Sequence, residues 1–199
     1  HIVIDGSLLK ESDSNLDMTC GLAIHEKLHV VHSKPLHKWM KDMMRNPKVK
    51  YGERELLHSI CNIVEDEYIE RQLSISCPGY VHYIEKVKDH YFGKDAKATA
   101  DSGHEFTDII NTLLLLVRYP SLLSDDRKKR HAPHIRFFMD ELKDGINDRE
   151  STYDCITNIW IYMKNVWKDM GDDPDEDRAH DEAERKADEY MEEILGDYK

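Results

Sequence analysis

The chain has 199 residues, of which 40% are hydrophobic and 34% are charged, and this composition is typical of one polar globular domain. The formal net charge of −12 argues against general binding of nucleic acid, because the phosphate backbone attracts basic surfaces. No apolar run approaches the roughly 18 residues that a membrane-spanning helix needs, so we expect no membrane partner.

The acidic residues are concentrated at the C-terminal end of the chain. Residues 171–199 contain 13 Asp or Glu against 4 Lys or Arg, whereas the rest of the chain is close to neutral. We therefore expect residues 1–170 to form the folded domain. Residues 171–199 are expected to form an acidic helix or tail that contacts a protein partner.

The cysteines and the N-terminus both predict a cytoplasmic protein that is not secreted. The first six residues lack the basic start and the long apolar centre of a signal peptide. The wide cysteine spacing predicts reduced, buried thiols rather than disulfides or a zinc site built from cysteines. The four cysteines are Cys20, Cys61, Cys77 and Cys155.

The pattern of apolar residues predicts a mainly α-helical fold, with a candidate short strand at Ile2–Ile4. The first helix is expected at Asn15–Ser33, with Asp13 or Ser14 as its N-cap. Further helices are expected, in chain order, at Leu36–Asn46, Glu53–Leu73, Val81–Tyr91, Phe106–Tyr119, Ile135–Leu142 and Thr152–Met170.

Two internal segments are predicted to be loops. Residues 94–103 are small and polar and are the best candidate for a mobile loop. Residues 121–133 contain the basic run Arg127–Arg130. A solvated loop is the simpler interpretation of this run, and contact with a phosphate or a partner is the alternative.

The most informative stretch is His-Glu-x-x-His, formed by His25, Glu26 and His29 inside the first predicted helix. Residues i and i+4 of a helix lie on the same face, so both imidazoles can bind one metal ion. Glu26 lies at the edge of that face, where it can accept a proton from a water molecule on the metal. The pattern is typical of zinc hydrolases, and its apolar flanks predict a buried helix.

A third ligand is expected from the helix predicted at Glu53–Leu73, because catalytic zinc sites usually have three protein ligands. Glu65 is the preferred candidate, since two histidines with one glutamate are a recurring, gluzincin-like set. Asp66 is then expected to accept the outer N–H of a ligand histidine. Two alternatives stay open, namely Asp66 as the ligand and Glu65 as an ordinary surface carboxylate. Glu70 and Arg71 are expected to form an ion pair on the same wall.

Two further residues near the motif have weaker signals. His32 shares part of the face of His29, but its spacing does not match the third histidine of a His-x-x-x-His-x-x-x-x-x-His site. Hydrolysis also needs a group that stabilises the developing oxyanion. Tyr80 is the first candidate, because the Pro78-Gly79 turn can present its side chain, and an ordinary half-buried tyrosine is the alternative.

Two runs, Cys20–His29 and Asn62–Glu70, resemble a group of zincin metallopeptidases. The group includes the peptidase-like region of the cobaltochelatase subunit that carries a von Willebrand A domain, and related proteins are frequent in tailed-phage genomes. In these proteins a Gly-x-x-x-His-Glu-x-x-His helix precedes an Asn-x-x-Glu-Asp-x-x-x-Glu helix. The resemblance covers Leu16–Leu73, with a departure at Lys27 or Leu28, where members often have a small residue.

The resemblance implies a zincin-like core in which the motif helix packs against a glutamate-bearing helix, in a protein of a bacterial or phage-infected cell. It implies that His25, His29 and Glu65 bind Zn²⁺ and that Glu26 is the general base. No Asp-x-Ser-x-Ser signature occurs, so no von Willebrand domain is expected in this chain.

The predicted function is therefore that of a zinc-dependent metallopeptidase that acts on a protein or peptide substrate. The first alternative is a non-proteolytic binding or assembly module, associated with a phage or with an AAA ATPase, whose metal site is structural or a relic. The second is a helical partner protein in which the motif occurs by chance. The two metal-binding hypotheses share a zinc site, and they differ in whether Glu26 is needed for cleavage.

Overall fold

The computed structural model describes residues 13–91 and 105–171. Within these ranges the chain forms eight helices, with short 3-10 turns at Pro78–Tyr80 and Pro120–Leu122. The helices are α1 (Asp13–His32), α2 (Lys34–Met44), α3 (Tyr51–Ser76), α4 (Val81–Tyr91), α5 (Glu105–Arg118), α6 (Asp125–Arg130), α7 (Ala132–Gly145) and α8 (Arg149–Asp169). No strand occurs in the described ranges, so the prediction of a mainly α fold is confirmed.

Three predictions fall on residues outside the described ranges. They concern the short strand at Ile2–Ile4, the loop at 94–103 and the acidic segment that follows Gly171. None of the described helices combines the length and the apolar character that crossing a membrane requires.

The long helix α3 lies at the centre of the fold and contributes to two hydrophobic cores. Its N-terminal half packs against α5, α7 and α8, and its C-terminal half packs against α1 and α4. Each fully buried apolar side chain contributes about 1.5–3 kcal/mol, so these contacts fix the motif helix α1 against α3. Fully buried side chains of the larger core include Leu57, Ile60, Leu113, Phe138 and Ile156. The smaller core consists of Leu28, Tyr68, Ile69, Leu73 and Ile84.

Helices α1 and α4 approach each other closely at Gly21. A Cβ atom at this position would lie 2.4 Å from the backbone oxygen of Tyr83 and 2.4 Å from Cγ2 of Val87. Side chains do not tolerate so short a distance, so only glycine lets the two helices touch here. Gly21 lies one turn before His25, so this close contact fixes α1 next to the motif.

The basic run that was predicted to be a solvated loop is a helix, so this prediction is wrong. The run forms most of α6, which Ser124 caps by accepting a hydrogen bond from the backbone nitrogen of Arg127. Arg127 is only 5% exposed, and its Nη2 donates to Oδ1 of Asp108 at 2.9 Å. The first charge of the run therefore pairs with a buried carboxylate, while the other three basic residues are exposed.

Helix α8 begins one turn earlier than predicted, at Arg149 instead of Thr152. The reason is a cap: Asp148 accepts a hydrogen bond from the backbone nitrogen of Ser151 at 2.9 Å. The earlier start matters for the site, because it places Arg149 beside the motif helix.

All four cysteines are free, but only Cys61 and Cys155 are buried as predicted, because Cys20 is half-buried. Cys61 and Cys155 are buried in the larger core, where burial raises the pKa of the Cys155 thiol to about 12. Cys77, in contrast, is exposed. Buried thiols with a raised pKa are unreactive, so Cys61 and Cys155 belong to the packing of the fold.

Candidate metal centre

His25 and His29 lie one turn apart on α1, as the motif predicts. Their rings meet edge to face with centroids 4.7 Å apart, and their Nε2 atoms are 3.1 Å apart. The side chains are 18% exposed for His25 and 24% exposed for His29. The two facing nitrogens are therefore shielded by the fold and still open to solvent on one side.

Asp66 of α3 completes a group of three potential ligands. Its Oδ1 lies 3.3 Å from Nε2 of His29 and 3.7 Å from Nε2 of His25. A tetrahedral zinc ion with ligands at about 2.0–2.1 Å keeps neighbouring ligand atoms about 3.4 Å apart. The observed separations of 3.1, 3.3 and 3.7 Å lie on both sides of that value. Within the described ranges, this is the one such group of histidine, cysteine and carboxylate side chains.

The outer nitrogen of His29 is held by Ser33. Nδ1 lies 3.0 Å from Oγ of Ser33, and the hydroxyl donates its own hydrogen to Oε1 of Glu65 at 2.5 Å. The carboxylate of Glu65 is paired with Arg149 and can only accept, so the oxygen of Ser33 must accept from Nδ1–H. The neutral ring of His29 therefore has its lone pair on Nε2, directed at Asp66.

The outer nitrogen of His25 faces Glu70, with Nδ1 at 3.6 Å from Oε1. Glu70 also accepts from Nη2 of Arg118 at 2.8 Å and from Nζ of Lys88 at 2.9 Å. Burial would raise the pKa of Glu70, but His25, Arg118 and Lys88 together lower it to about 2. Glu70 is thus an ionised carboxylate that attracts the Nδ1–H of His25 and leaves Nε2 directed at His29.

The electrostatics of the group fit a bound cation. Burial would lower the pKa of His25, but Glu70, Asp66 and Glu26 outweigh burial and raise the pKa above 6.5. Two Nε2 lone pairs at 3.1 Å repel each other unless a positive charge lies between them. A proton on one of the two rings lets these nitrogens form the hydrogen bond that the distance fits. A divalent cation would replace this proton, since metal binding releases protons from its ligands.

Glu65, the predicted third ligand, does not belong to this group. It is 3% exposed and forms a two-point ion pair with Arg149, in which Nη2 donates to Oε1 at 2.9 Å. Arg149 also donates to the backbone oxygen of His32, which lies outside the group as expected. Successive helix residues are rotated by about 100°, so of these two carboxylates only Asp66 faces the two histidines. Asp66 as the third ligand was the alternative left open, and Glu65 lies behind Ser33.

Of the two predicted catalytic residues, Glu26 lies beside the group of three potential ligands and Tyr80 does not. Glu26 is exposed next to His25, and its charge helps to raise the pKa of that histidine. Tyr80 lies beyond the end of α3 and is 51% exposed. Because α3 rises about 15 Å between Asp66 and Ser76, Tyr80 lies well away from the three ligand atoms.

Arg118 and Lys88 are site residues that sequence reasoning missed. Glu70 was predicted to pair with Arg71, and this is wrong, because Arg71 pairs with Glu67 one turn earlier at 3.1 Å. Glu70 instead binds the two cations from α4 and α5. A weak signal was present for Arg118, since a single cation at the end of a buried apolar helix usually has a partner.

A cavity of about 400 Å³ lies beside the group. It gives a ligand access to His29 and Asp66, and its walls come from α1, α3 and α5. Its lining residues are His29, Asn62, Ile63, Asp66, Leu114 and Arg118.

Comparison with known proteins adds no family assignment. No family model, curated protein or solved structure matches the chain. The resemblance to zincin metallopeptidases therefore stays a prediction, and any functional argument depends on the geometry of the described residues.

Proposed function

We propose that the chain is a zinc-dependent peptidase in which His25, His29 and Asp66 bind the metal ion. The supporting observation is the spacing of the three ligand atoms, at 3.1, 3.3 and 3.7 Å, with both imidazole Nε2 atoms directed inward. Two imidazoles and one carboxylate suit zinc better than calcium or magnesium, which prefer oxygen ligands. In many metalloproteins the outer nitrogen of a ligand histidine is held in this way.

The surrounding residues support a catalytic site. Zinc, when bound, lowers the pKa of a coordinated water molecule to about 7. Glu26 is exposed beside His25, where its carboxylate accepts a proton from water and returns it to the leaving amine. Ser33 and Glu70 hold the two imidazole rings in the tautomers that binding requires.

The openness of the group favours catalysis over a purely structural role. Structural zinc sites are usually closed by four protein ligands, whereas catalytic sites keep one position free. The described residues supply three ligands, each 18–25% exposed, beside a cavity of about 400 Å³. A substrate can therefore approach the metal position from the side of the cavity.

The proposal is tested by metal content and by one substitution. Elemental analysis of the purified full chain should find about one zinc per chain. Glu26→Gln should keep the zinc and abolish cleavage of a peptide library followed by mass spectrometry, because an amide cannot accept the proton. Glu85→Gln, an exposed carboxylate on α4, is the matched control and should cleave normally. Absence of zinc, or normal cleavage by Glu26→Gln, would refute the proposal.

A second candidate is a non-proteolytic assembly module whose metal ion joins α1 to α3. One observation favours it: the described ranges contain no sheet edge to which an extended peptide substrate could add as a strand. In that case zinc should raise the melting temperature while no peptide of the library is cleaved, and Glu26→Gln should change neither result. Cleavage that depends on Glu26 would rule out this candidate.

A further inference from the structure

The cavity beside the metal position is lined in part by residues that have no role in metal binding. Asn62 and Asp66 lie one turn apart on α3, and Leu114 and Arg118 lie one turn apart on α5. The two helices therefore face the same space, in which the guanidinium of Arg118 lies next to the carboxylate of Asp66. The rest of this wall is apolar, through Ile63 and Leu114.

Arg118 is the unusual residue of this wall. Its side chain is only 4% exposed, and its Nη2 donates to Glu70 at 2.8 Å. The same nitrogen lies 3.7 Å from Oδ2 of Asp66, which is too far for a hydrogen bond. Nη1 is buried without a hydrogen-bond partner among the described residues. The Tyr119 hydroxyl is a second neighbour of this guanidinium. Because a guanidinium has five N–H donors, it retains donors for a further acceptor beside Glu70 and Tyr119.

The charges of the cavity also favour an anionic ligand. The carboxylates of Asp66 and Glu70 are balanced by the cations of Arg118 and Lys88. With the carboxylate of Glu26 beside His25 also counted, a divalent metal ion would still leave a net positive charge around the metal position. An anionic group on the substrate would restore the balance.

We propose that Arg118 binds the C-terminal carboxylate of peptide substrates, so that the site removes residues from free C-termini. This inference rests on the proposed peptidase function. A guanidinium binds a carboxylate through two parallel N–H donors, and the apolar wall suits a terminal residue with an apolar side chain. Because Nη2 of Arg118 lies 3.7 Å from Oδ2 of Asp66, a carboxylate on Arg118 would place the last peptide bond of the substrate beside the metal-binding group.

The chemical step is a simple hydrolysis. Water adds to the carbonyl carbon of the last peptide bond, the C–N bond breaks, and the proton taken by Glu26 passes to the leaving amine. The products are a shortened peptide with a new carboxylate and a free amino acid. The free amino acid retains the carboxylate that Arg118 binds, so product-like ligands report on this subsite.

Calorimetry with two matched ligands tests the carboxylate subsite. The probes are N-acetyl-leucine and N-acetyl-leucinamide, which differ in the presence of the terminal carboxylate. The zinc-loaded full chain should bind N-acetyl-leucine at least about tenfold more tightly than the amide, since a hydrogen bond to a charged group is strong. The preference should persist, with weaker binding, in the chelator-treated chain, where no metal ion can bind the carboxylate. Equal binding of the two probes in the chelator-treated chain would overturn the proposal.

Substitutions test whether Arg118 or another cation binds the carboxylate. Arg118→Gln, with its fold checked by circular dichroism, should lose the preference for N-acetyl-leucine. Arg71→Gln removes a more exposed cation of α3, which is 42% exposed, and should keep the preference. If Arg118→Gln does not fold, the two ligands still decide the question in the wild-type chain. A preference that Arg118→Gln retains would assign the carboxylate to another residue and overturn the proposal.

Two further results distinguish the carboxylate subsite from a phosphate site and from the proposed peptidase function. Inorganic phosphate that binds the chelator-treated chain more tightly than N-acetyl-leucine would assign the cavity to phosphate instead of a carboxylate, and would overturn the proposal. A chain that binds no zinc but prefers N-acetyl-leucine would refute the proposed peptidase and retain the carboxylate subsite. Failure of the metal site and failure of the subsite are thus seen in different measurements.

Discussion

Ser33 connects the group of His25, His29 and Asp66 to a buried ion pair. Its side chain is fully buried between Nδ1 of His29 and the carboxylate of Glu65. Glu65 is fixed by Arg149, whose guanidinium lies 4.1 Å from the ring centroid of Tyr68. The hydroxyl group of Ser33 therefore couples the orientation of His29 on α1 to the position of α8.

We predict that Ser33→Ala weakens zinc binding about 10- to 100-fold, because His29 loses the acceptor for its outer nitrogen. Competition with a chromophoric chelator measures the change. Ser59→Ala is the control, since that hydroxyl is exposed and donates only to the backbone oxygen of Glu55. Equal zinc affinity for Ser33→Ala and the wild type would show that Ser33 does not orient the ligand.

At the residue scale, only local relationships could be predicted from the sequence. His25 and His29 are assigned by helix periodicity, which needs no knowledge of the fold. The choice between Glu65 and Asp66 depends on which side of α3 faces α1, and that is a property of tertiary packing. Arg118 comes from a distant part of the chain, so no local pattern connects it to the histidines.

Glu70 joins three helices through its charge. It lies on α3, accepts from Lys88 on α4 at 2.9 Å and accepts from Arg118 on α5 at 2.8 Å. Its side chain is only 10% exposed, so water screens these contacts weakly. Glu70 therefore links α3 to α4 and α5 beside the group of His25, His29 and Asp66.

The lowered pKa of Glu70 predicts acid sensitivity of the zinc-free chain. Burial opposes the shift, but His25, Arg118 and Lys88 lower the pKa from 4.5 to about 2. A carboxylate with a lowered pKa stabilises the fold above its unfolded pKa and loses this contribution as the pH falls through about 2. The contribution is about 3 kcal/mol.

Urea unfolding of the zinc-free chain between about pH 5 and pH 2 measures this dependence. Glu70→Gln should make the free energy of unfolding less dependent on pH in this range, because the amide does not titrate. Glu85→Gln should retain the slope of the wild type, since Glu85 is exposed. An unchanged slope for Glu70→Gln would contradict the role of Glu70.

Gly21→Ala tests the close contact between α1 and α4. The added Cβ would lie 2.4 Å from the backbone oxygen of Tyr83, so α1 must move. We expect the free energy of unfolding to fall by about 1–3 kcal/mol, measured by urea unfolding. Gly79→Ala is the control, because nothing lies within 4 Å of its added Cβ. Equal stability of the two variants would show that α1 does not depend on this contact.

At the element scale, the helices of the described ranges follow the apolar periodicity of the sequence, whereas charge patterns were misleading. Arg127 was taken for a solvated residue because a run of charges usually faces water. Its partner Asp108 lies on another helix, so no local sequence pattern could predict this ion pair. The start of α8 depended on Asp148, whose role as a cap appears only once its side chain accepts from Ser151.

The site lies where the two cores to which α3 contributes meet. Helix α3 gives its N-terminal half to the larger core and its C-terminal half to the smaller core, and Asp66 lies between them. The motif helix α1 belongs to the smaller core, while Arg118 and Arg149 come from helices that pack in the larger core. His25, His29, Asp66 and the residues that support them are therefore brought together only when both cores have formed.

The most direct test of the central claim is a crystal structure of the zinc-loaded chain with anomalous diffraction measured at the zinc edge. The account predicts one anomalous peak at about 2.0–2.1 Å from Nε2 of His25, Nε2 of His29 and one carboxylate oxygen of Asp66. Glu65 should keep its ion pair with Arg149. A peak bound by Glu65 in place of Asp66, or no peak at the two histidines, would contradict the account.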